Sequence, residues 1–531
     1  MFWLTKLSFK RAQHIVVAVF LSLLILGGML RPAAAAAVSS TIPNMQVIDT
    51  YVTSQMQHLH IPGVTLGIVH KNQIVYTHGY GVADPSGRPM TAHTPFVLAS
   101  ISKSFTTLAV MQLATQGKID LDAPVQRYIP WFHVATPGAS SQITIRHLLT
   151  HTSGLSPYLG GIRPASPDES IEKFVRGMST TRLTAPVGKQ FQYSNANYAV
   201  LGLVVQVVSG EAYGAYIQQH IFDPLVMHES FTSQAEALKH GLTAGYQTFF
   251  GAVLPVNAPY HLDIQPAGYL ISSAEDMTHY LLAQMNGGRY GTASILSPAG
   301  MESMHAPEVT THQNEGGNGE IQAQYAMGWF VGSLDGVPIL NHGGDDINMH
   351  GDMMMAPGSD FGLIVLTNMG SLEGNLVGAL PQTAEGVMHL LLVQSVPASN
   401  DLVTIYLIID GIVCILTTLA LWSLVRLLRR RQTSLKRQFV SLLRYLLLPL
   451  FWECVLPIGL FVSIPILLGG VSWIGIVLYL PDVGYWLLAL FCLLFLTGLV
   501  RCILTVLHLR ARCNELVKLA LVPKERDWHV P

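Results

Sequence analysis

Apolar and polar positions first fall into order between Gly63 and Tyr80, where the runs Val64 to Val69 and Ile74 to His78 flank the polar turn His70-Lys71-Asn72-Gln73. That pattern predicts a β-hairpin. Strand-like runs return between Trp329 and Asn368, at Pro338 to His342, His350 to Met355 and Gly362 to Thr367, broken by Gly and Asp clusters. The sequence from about Ile119 to Gln324 is largely helical in character, so strands near both ends of this region imply one sheet closed by distant segments around a helical insertion. One helix opens at Ser100. It is apolar on nearly every side from Leu108 to Ala114, with Gln112 its one polar position, and Gly117 suits its end; the prediction is a buried, rigid helix.

Longer apolar runs lie outside that region. The chain has 531 residues, half of them hydrophobic, and a mean hydropathy of +0.39, more than a soluble chain of this size usually carries. The excess sits in Ile15 to Leu30 and in Leu402 to about Leu507. Lys6, Lys10 and Arg11 before the first run, and the small residues Ala33 to Ala37 after it, read as an export signal peptide over residues 1–37, with an uncleaved anchor as the competing reading. The second block reads as three transmembrane helices within 402–507: Leu402 to Leu424, about Tyr445 to Gly469, and about Tyr485 to Leu507. Arg426, Arg429, Arg430, Arg431, Lys436 and Arg437 follow the first span, the loop Gly470 to Gly484 has no Lys or Arg, and the tail 508–531 is basic again. The asymmetry puts the tail in the cytoplasm and the body, 38–396, outside, joined to the spans by a linker at 397–401. Asp410 and Glu453 fall at membrane depth and are read as facing water or a neighbouring helix.

All five cysteines, Cys414, Cys454, Cys492, Cys502 and Cys513, lie in or just past the apolar block. The body therefore has no disulfide framework and no thiolate zinc site. His58, His60, His305 and His312 lack a recognised ligand spacing, so no metal and no cofactor is expected. A net charge of −2 provides no basic footprint for nucleic acid. Gly316-Gly317-Asn318-Gly319 reads as a flexible loop.

Ser100 and Lys103 stand one turn apart at the start of the predicted helix. That spacing puts a hydroxyl and an amine on one face, where an uncharged lysine takes the serine proton as the oxygen attacks a carbonyl. The spacing alone is weak, because Ser170-Ile171-Glu172-Lys173 also has it and reads as a solvated helix turn. A plain helix cap is the competing reading of Ser100.

Ile61-Pro62-Gly63-Val64, Tyr80-Gly81-Val82-Ala83-Asp84, the Ser100 cluster, Leu148 to Leu155, Tyr193-Ser194-Asn195 and His342-Gly343-Gly344 occur in the order typical of one family. The chain resembles the beta-lactamase-related serine hydrolases, the group of class C beta-lactamases, DD-peptidases, D-aminopeptidases and esterases. The resemblance runs from about Ile61 to Asn368 and implies an α/β fold, an antiparallel sheet flanked by helices with an inserted, mainly helical region. It implies Ser100 as acylated nucleophile, Lys103 as proton acceptor, Tyr193 as a second proton-transfer group and Asn195 as an amide holding substrate. His342 stands where penicillin-recognising members carry lysine, which weakens a fixed positive charge for a substrate carboxylate. Gly343 and Gly344 would let a substrate backbone lie along an edge strand, and the N–H of Asp345 would complete an oxyanion hole with that of Ser100. His151 matches a structural or pocket-lining segment and is given no catalytic role. The expectation is a membrane-anchored, extracytoplasmic hydrolase of a bacterial cell envelope, acting on small peptides or esters of D-amino acids, peptidoglycan-related ones included, and contacting membrane lipid. The competing expectation is a catalytically silent sensor that captures a peptide or beta-lactam and signals through the spans.

Overall fold

The computed structural model describes residues 42–161, 163, 165–166, 169–311, 323–370, 380–393, 402–429, 450–467 and 472–520. The export signal, the linker, the Gly316 to Gly319 loop, His312, most of the basic segment after the span Leu402 to Leu424, both ends of the span expected at about Tyr445 to Gly469 and the end of the tail lie outside these residues.

The hairpin forms as strands β1 (Gly63–His70) and β2 (Gln73–Gly81). Six more strands complete an eight-stranded antiparallel sheet: β3 (Val309–Thr310), β4 (Gln324–Tyr325), β5 (Phe330–Leu334), β6 (Val337–Asp345), β7 (His350–Ala356) and β8 (Phe361–Thr367), in the order β2-β1-β8-β7-β6-β5-β4-β3. Closure between distant segments is literal. Strand β1 pairs with β8 from Val64↔Thr367 to His70↔Phe361, some three hundred residues apart in sequence.

Helices cover both faces. Helix α1 (Met45–Leu59) and helix α5 (Pro381–Val393) pack on one face, where Ile48, Val52, Leu66, Leu363 and Leu391 form a fully buried cluster. The other face carries α2 (Ser102–Thr115), α3 (Asn195–Ser209) and α4 (Ala274–Met285) over Ile101, Phe105, Leu281 and Ile364. Helix α2 is buried along nearly its whole length, which explains its all-round apolar pattern: a helix with neighbours on every side has no solvent face to keep polar. The insertion also holds a strand pair the pattern did not announce, Tyr246–Phe249 with Ala252–Pro255, joined in parallel to Met369–Gly370.

The C-terminal block contains α6 (Leu402–Arg429), α7 (Leu456–Leu467), the short α8 (Trp473–Tyr479) and α9 (Pro481–Ala520). Where three spans were expected, two of the described helices are long and apolar enough to cross a membrane, at Ile408–Leu427 and Pro481–Leu507; the segment Phe451–Ile466 is apolar but shorter. Glu453 does face a neighbouring helix. Its buried carboxylate accepts from Arg501 Nε at 2.7 Å and Nη2 at 2.5 Å, and from Ser423 Oγ at 3.0 Å. Pairing of this kind removes most of the cost of an isolated buried charge.

Candidate active site

The route into the site begins with the strand pair Phe96–Val97 and Ile271–Ser272. Leu98 N–H donates to the Leu270 carbonyl at 2.9 Å and Leu270 N–H donates to Ser102 Oγ at 3.1 Å, so both sides of the turn that carries Ser100 are tied down. Ser100 sits in the single turn of 3-10 helix Ala99–Ile101, ahead of α2, and Ala99 has φ +45°. A non-glycine residue held in that region marks a turn imposed by its surroundings. Ser100 is not the cap of α2: that place belongs to Ile101, and no side chain caps the helix there. Ser170 is the contrasting case. It caps the helix Ile171–Gly177 by accepting from Lys173 N–H, which is what the same spacing does when the serine lies outside the first turn.

Lys103 is fully buried. Its Nζ lies 2.9 Å from Ser100 Oγ, 2.8 Å from Asn195 Oδ1 and 2.7 Å from the Ala267 carbonyl oxygen. Burial pushes its pKa well below the ordinary lysine value, because a desolvated ammonium without a carboxylate is costly. The neutral amine has two N–H bonds and one lone pair. Asn195 Oδ1 and Ala267 O can only accept, so they take the two hydrogens, and the lone pair is left for the Ser100 hydroxyl. Such an arrangement can pass a proton from Ser100 to Lys103.

Both acceptors are held from elsewhere. Asn195 opens α3 and its Nδ2 donates to the Gly160 carbonyl at 3.2 Å, which fixes the orientation of the amide. Ala267 lies in the one-turn helix Gln265–Gly268. Pro266 of that turn packs against α3 at Gly202, where a Cβ would collide with the proline ring. Asn195, expected to hold substrate, also holds the amine of Lys103 through its side-chain oxygen.

Tyr193 stands beside Ser100, whose side chain offsets part of the effect of burial on the phenol, and Lys103 Nζ lies 4.7 Å from the centroid of its ring. Burial drives its phenol upward, so it stays protonated and is suited to deliver a proton rather than to begin by removing one. Its ring stacks on His151 with centroids 4.4 Å apart. His151 is fully buried, and its Nδ1 accepts from Ser194 N–H at 3.1 Å and Asn197 Nδ2 at 2.9 Å. Burial, then Lys103 and His342, lower its pKa well below the usual value. It is a neutral platform that sets the plane of Tyr193.

His342 is brought to the same cluster by β6, its ring 6.3 Å from that of Tyr193. Nδ1–H donates to the Gly343 carbonyl at 2.6 Å and Nε2 accepts from the Tyr325 hydroxyl at 3.3 Å. Burial and the neighbouring Lys103 lower its pKa to about 3, so this position carries no positive charge. Gly344 brings β6 against the nucleophile: a Cβ there would run into the Leu98 carbonyl and lie 3.2 Å from Ser100 N. The adjoining Asp345 accepts from His350 Nδ1 at 2.6 Å, and Asp352 accepts from its Nε2 at 2.7 Å. Burial alone would lower His350, but Asp352 and Asp345 outweigh it and lift the imidazole to about 10. Asp346 is buried and raised to about 6 by desolvation.

A cavity of about 50 Å³ lies against Ser100, bordered by Asn195, Gly268, Tyr269, Asp345 and Tyr479. Sequence reasoning did not reach the Ala267 carbonyl, Tyr325 or Tyr479. The first is a backbone atom and the other two stand in no motif. Among the described residues Glu169, His261 and Asp263 could together ligate a cation, but Arg163 pairs with Asp263 and lies 3.8 Å from Glu169, supplying the positive charge itself.

Comparison with known proteins agrees with this geometry. The beta-lactamase family model matches residues 48–386. The chain is 30% identical to protein flp of Staphylococcus aureus (strain MW2) over 337 residues, 62% of this chain and 64% of that protein, so it spans just under two thirds of that relative. It is 26% identical to penicillin-binding protein 4 of Amycolatopsis lactamdurans over 325 residues, 59% of this chain and 82% of the relative. Among solved structures, the octameric penicillin-binding protein homologue of Pyrococcus abyssi superposes with a TM-score of 0.57 at 26% identity, covering 66% of this chain and 77% of that one. The chain belongs to the beta-lactamase family, and its antiparallel sheet with flanking helices is the beta-lactamase and transpeptidase type of α/β fold.

Proposed function

We propose that this protein is a membrane-anchored serine hydrolase that works outside the cytoplasm through an acyl-enzyme on Ser100. The observation that carries the reading is the coordination of Lys103, whose two obligate acceptors leave its lone pair to the Ser100 hydroxyl. In the first step Ser100 Oγ bonds to a substrate carbonyl carbon while its proton passes to Lys103. The oxyanion is received by the N–H of Ser100 and of Asp345. The carbon–leaving-group bond then breaks as Tyr193 gives its phenolic proton to the departing oxygen or nitrogen, and Lys103 restores that proton. Water then adds to the acyl carbon as Lys103 takes one of its protons; the bond from that carbon to Ser100 Oγ breaks as Lys103 passes the proton to Oγ, and the acyl group leaves as a carboxylic acid.

The proposed substrates are esters and amides of D-amino acids in the bacterial envelope. A neutral His342 offers no charge partner for a free substrate carboxylate, while Asp345 and Asp346 border the cavity and suit an acyl group bearing an amine. Anchoring rests on the apolar helices Ile408–Leu427 and Pro481–Leu507.

Labelling with a fluorophosphonate tests the reading. The wild type is expected to form a stoichiometric adduct on Ser100 that is absent in Ser100→Ala. A folded wild type that takes no adduct from either a fluorophosphonate or a penicillin probe refutes the enzyme and leaves the binding protein.

A further inference from the structure

One wall of the cavity beside Ser100 does not come from the catalytic body. Tyr479 ends α8, two residues before α9 begins, yet it borders the same space as Ser100, Asn195 and Gly268. The turn that carries it is tethered to the body. The buried side chain of Gln247 donates through Nε2 to the Leu478 carbonyl at 2.7 Å and to the Tyr479 carbonyl at 3.3 Å. Phe250 N–H donates to Asp482 Oδ2 at 3.1 Å, and Asp482 is itself buried. Gln247 lies in the strand Tyr246–Phe249 and Phe250 in the turn that joins it to Ala252–Pro255, a pair linked through Met369–Gly370 to the segment following β8. Burial, then the Asp346 and Asp345 carboxylates, push the Tyr479 phenol upward, so it faces the cavity as a neutral, rigid ring.

We infer that Tyr479, carried by the turn between the apolar helices, is a specificity-determining residue that closes the acyl pocket and restricts it to short acyl groups. The inference rests on the serine hydrolase reading above and names the acyl class that such a site takes. A cavity of about 50 Å³ holds roughly three to five water-sized groups, since one water needs about 10 to 15 Å³ of such space. That is room for an acyl group of a few heavy atoms. Removing the ring of Tyr479 joins the cavity to the space it occupied. The consequence is that the membrane helices and the acyl pocket are one mechanical unit: shifting α9 shifts the wall.

The test uses the full chain in detergent and two covalent probes, a methyl and an octyl alkylphosphonofluoridate, with the ratio of their second-order rate constants on Ser100 as readout. The wild type is expected to favour the methyl probe by at least about tenfold, the order set by surplus methylenes in a closed apolar pocket. Tyr479→Ala should cut that preference at least about fivefold, by the same reasoning, and Tyr479→Phe should keep it. Gln247→Ala, which frees the turn without touching the cavity lining, should narrow the preference in the same direction and stands in if Tyr479→Ala does not fold. A ratio unmoved in Tyr479→Ala or, failing that variant, in Gln247→Ala overturns the inference while the hydrolase reading stands, as does a wild type that takes both probes equally fast. Absence of any adduct with the methyl probe overturns both.

Discussion

Asn195→Asp probes the proton path with almost no change of shape. The new carboxylate oxygen would stand where Asn195 Oδ1 now lies, 2.8 Å from Lys103 Nζ, and a charge at that distance favours the ammonium over the amine. A charge-assisted hydrogen bond contributes about 1.5–3 kcal/mol, and each 1.36 kcal/mol of differential interaction moves a pKa by about one unit. The Lys103 pKa should therefore rise by about one to two units. Ser100 is deprotonated by the neutral amine, so acylation rises with pH through the Lys103 pKa; a higher pKa moves that limb to higher pH. The rising limb of Ser100 labelling should move about one to two pH units to higher pH, with rates on that limb reduced about 10- to 100-fold at a given pH and recovered in more alkaline buffer. The assay is the second-order rate of fluorophosphonate labelling across pH, with thermal melting to confirm an intact fold. The second carboxylate oxygen would lose the hydrogen bond that Asn195 Nδ2 now gives the Gly160 carbonyl, a cost that the favourable end of the α3 helix dipole offsets in part, so melting should fall modestly with the fold retained. A pH profile that overlays the wild type, or one displaced to lower pH, refutes Lys103 as the base.

Gly344→Ala should reduce Ser100 labelling more than about 100-fold and destabilise the protein by about 1–3 kcal/mol, because its Cβ meets the Leu98 carbonyl and forces β6 off the nucleophile turn; labelling rates and thermal melting check the two effects. His350 yields a pH prediction. Its pKa is raised to about 10 in the folded protein against about 6.5 unfolded, so its stabilising contribution is complete below the unfolded value and is lost as pH rises through the folded one. Melting temperature should accordingly decline from neutrality towards pH 10. Asp352→Asn should flatten that decline by removing one of the two carboxylates that hold the imidazolium; a slope unchanged in this variant counts against the assignment.

The hairpin, the strands of the returning segment and the rigid helix behind Ser100 were legible because each is written in local periodicity. Strand ends shifted by one to three residues: Ile74 to His78 extends to Gln73–Gly81, for example. Order in the chain also distinguished Ser100-x-x-Lys103 from Ser170-x-x-Lys173, but only contacts explain it, since Ser170 spends its hydroxyl on a backbone N–H and Ser100 meets a buried amine. The apolar block was visible as composition. Two of its three expected spans are long apolar helices, and the third is described only over its apolar middle, Phe451–Ile466, its expected ends lying outside the described residues; Glu453 found Arg501, a partner 48 residues away that hydropathy cannot assign.

Sequence by itself determined the residue types and their order, hence the family, the sheet closed from both ends and the serine–lysine turn, because helical and strand periodicities and one-turn spacing are local properties of the chain. Tertiary structure alone decided that Lys103 is a desolvated amine beside Ser100, its pKa pushed well below the ordinary lysine value. That state depends on burial and on two acceptors, Asn195 and Ala267, brought from 92 and 164 residues away. It likewise decided that burial lowers the His342 imidazole, that His151 stacks on Tyr193, and that Tyr479 of the apolar block stands beside Ser100. Solvation and proximity are properties of the packed molecule, and no spacing along the chain encodes either one.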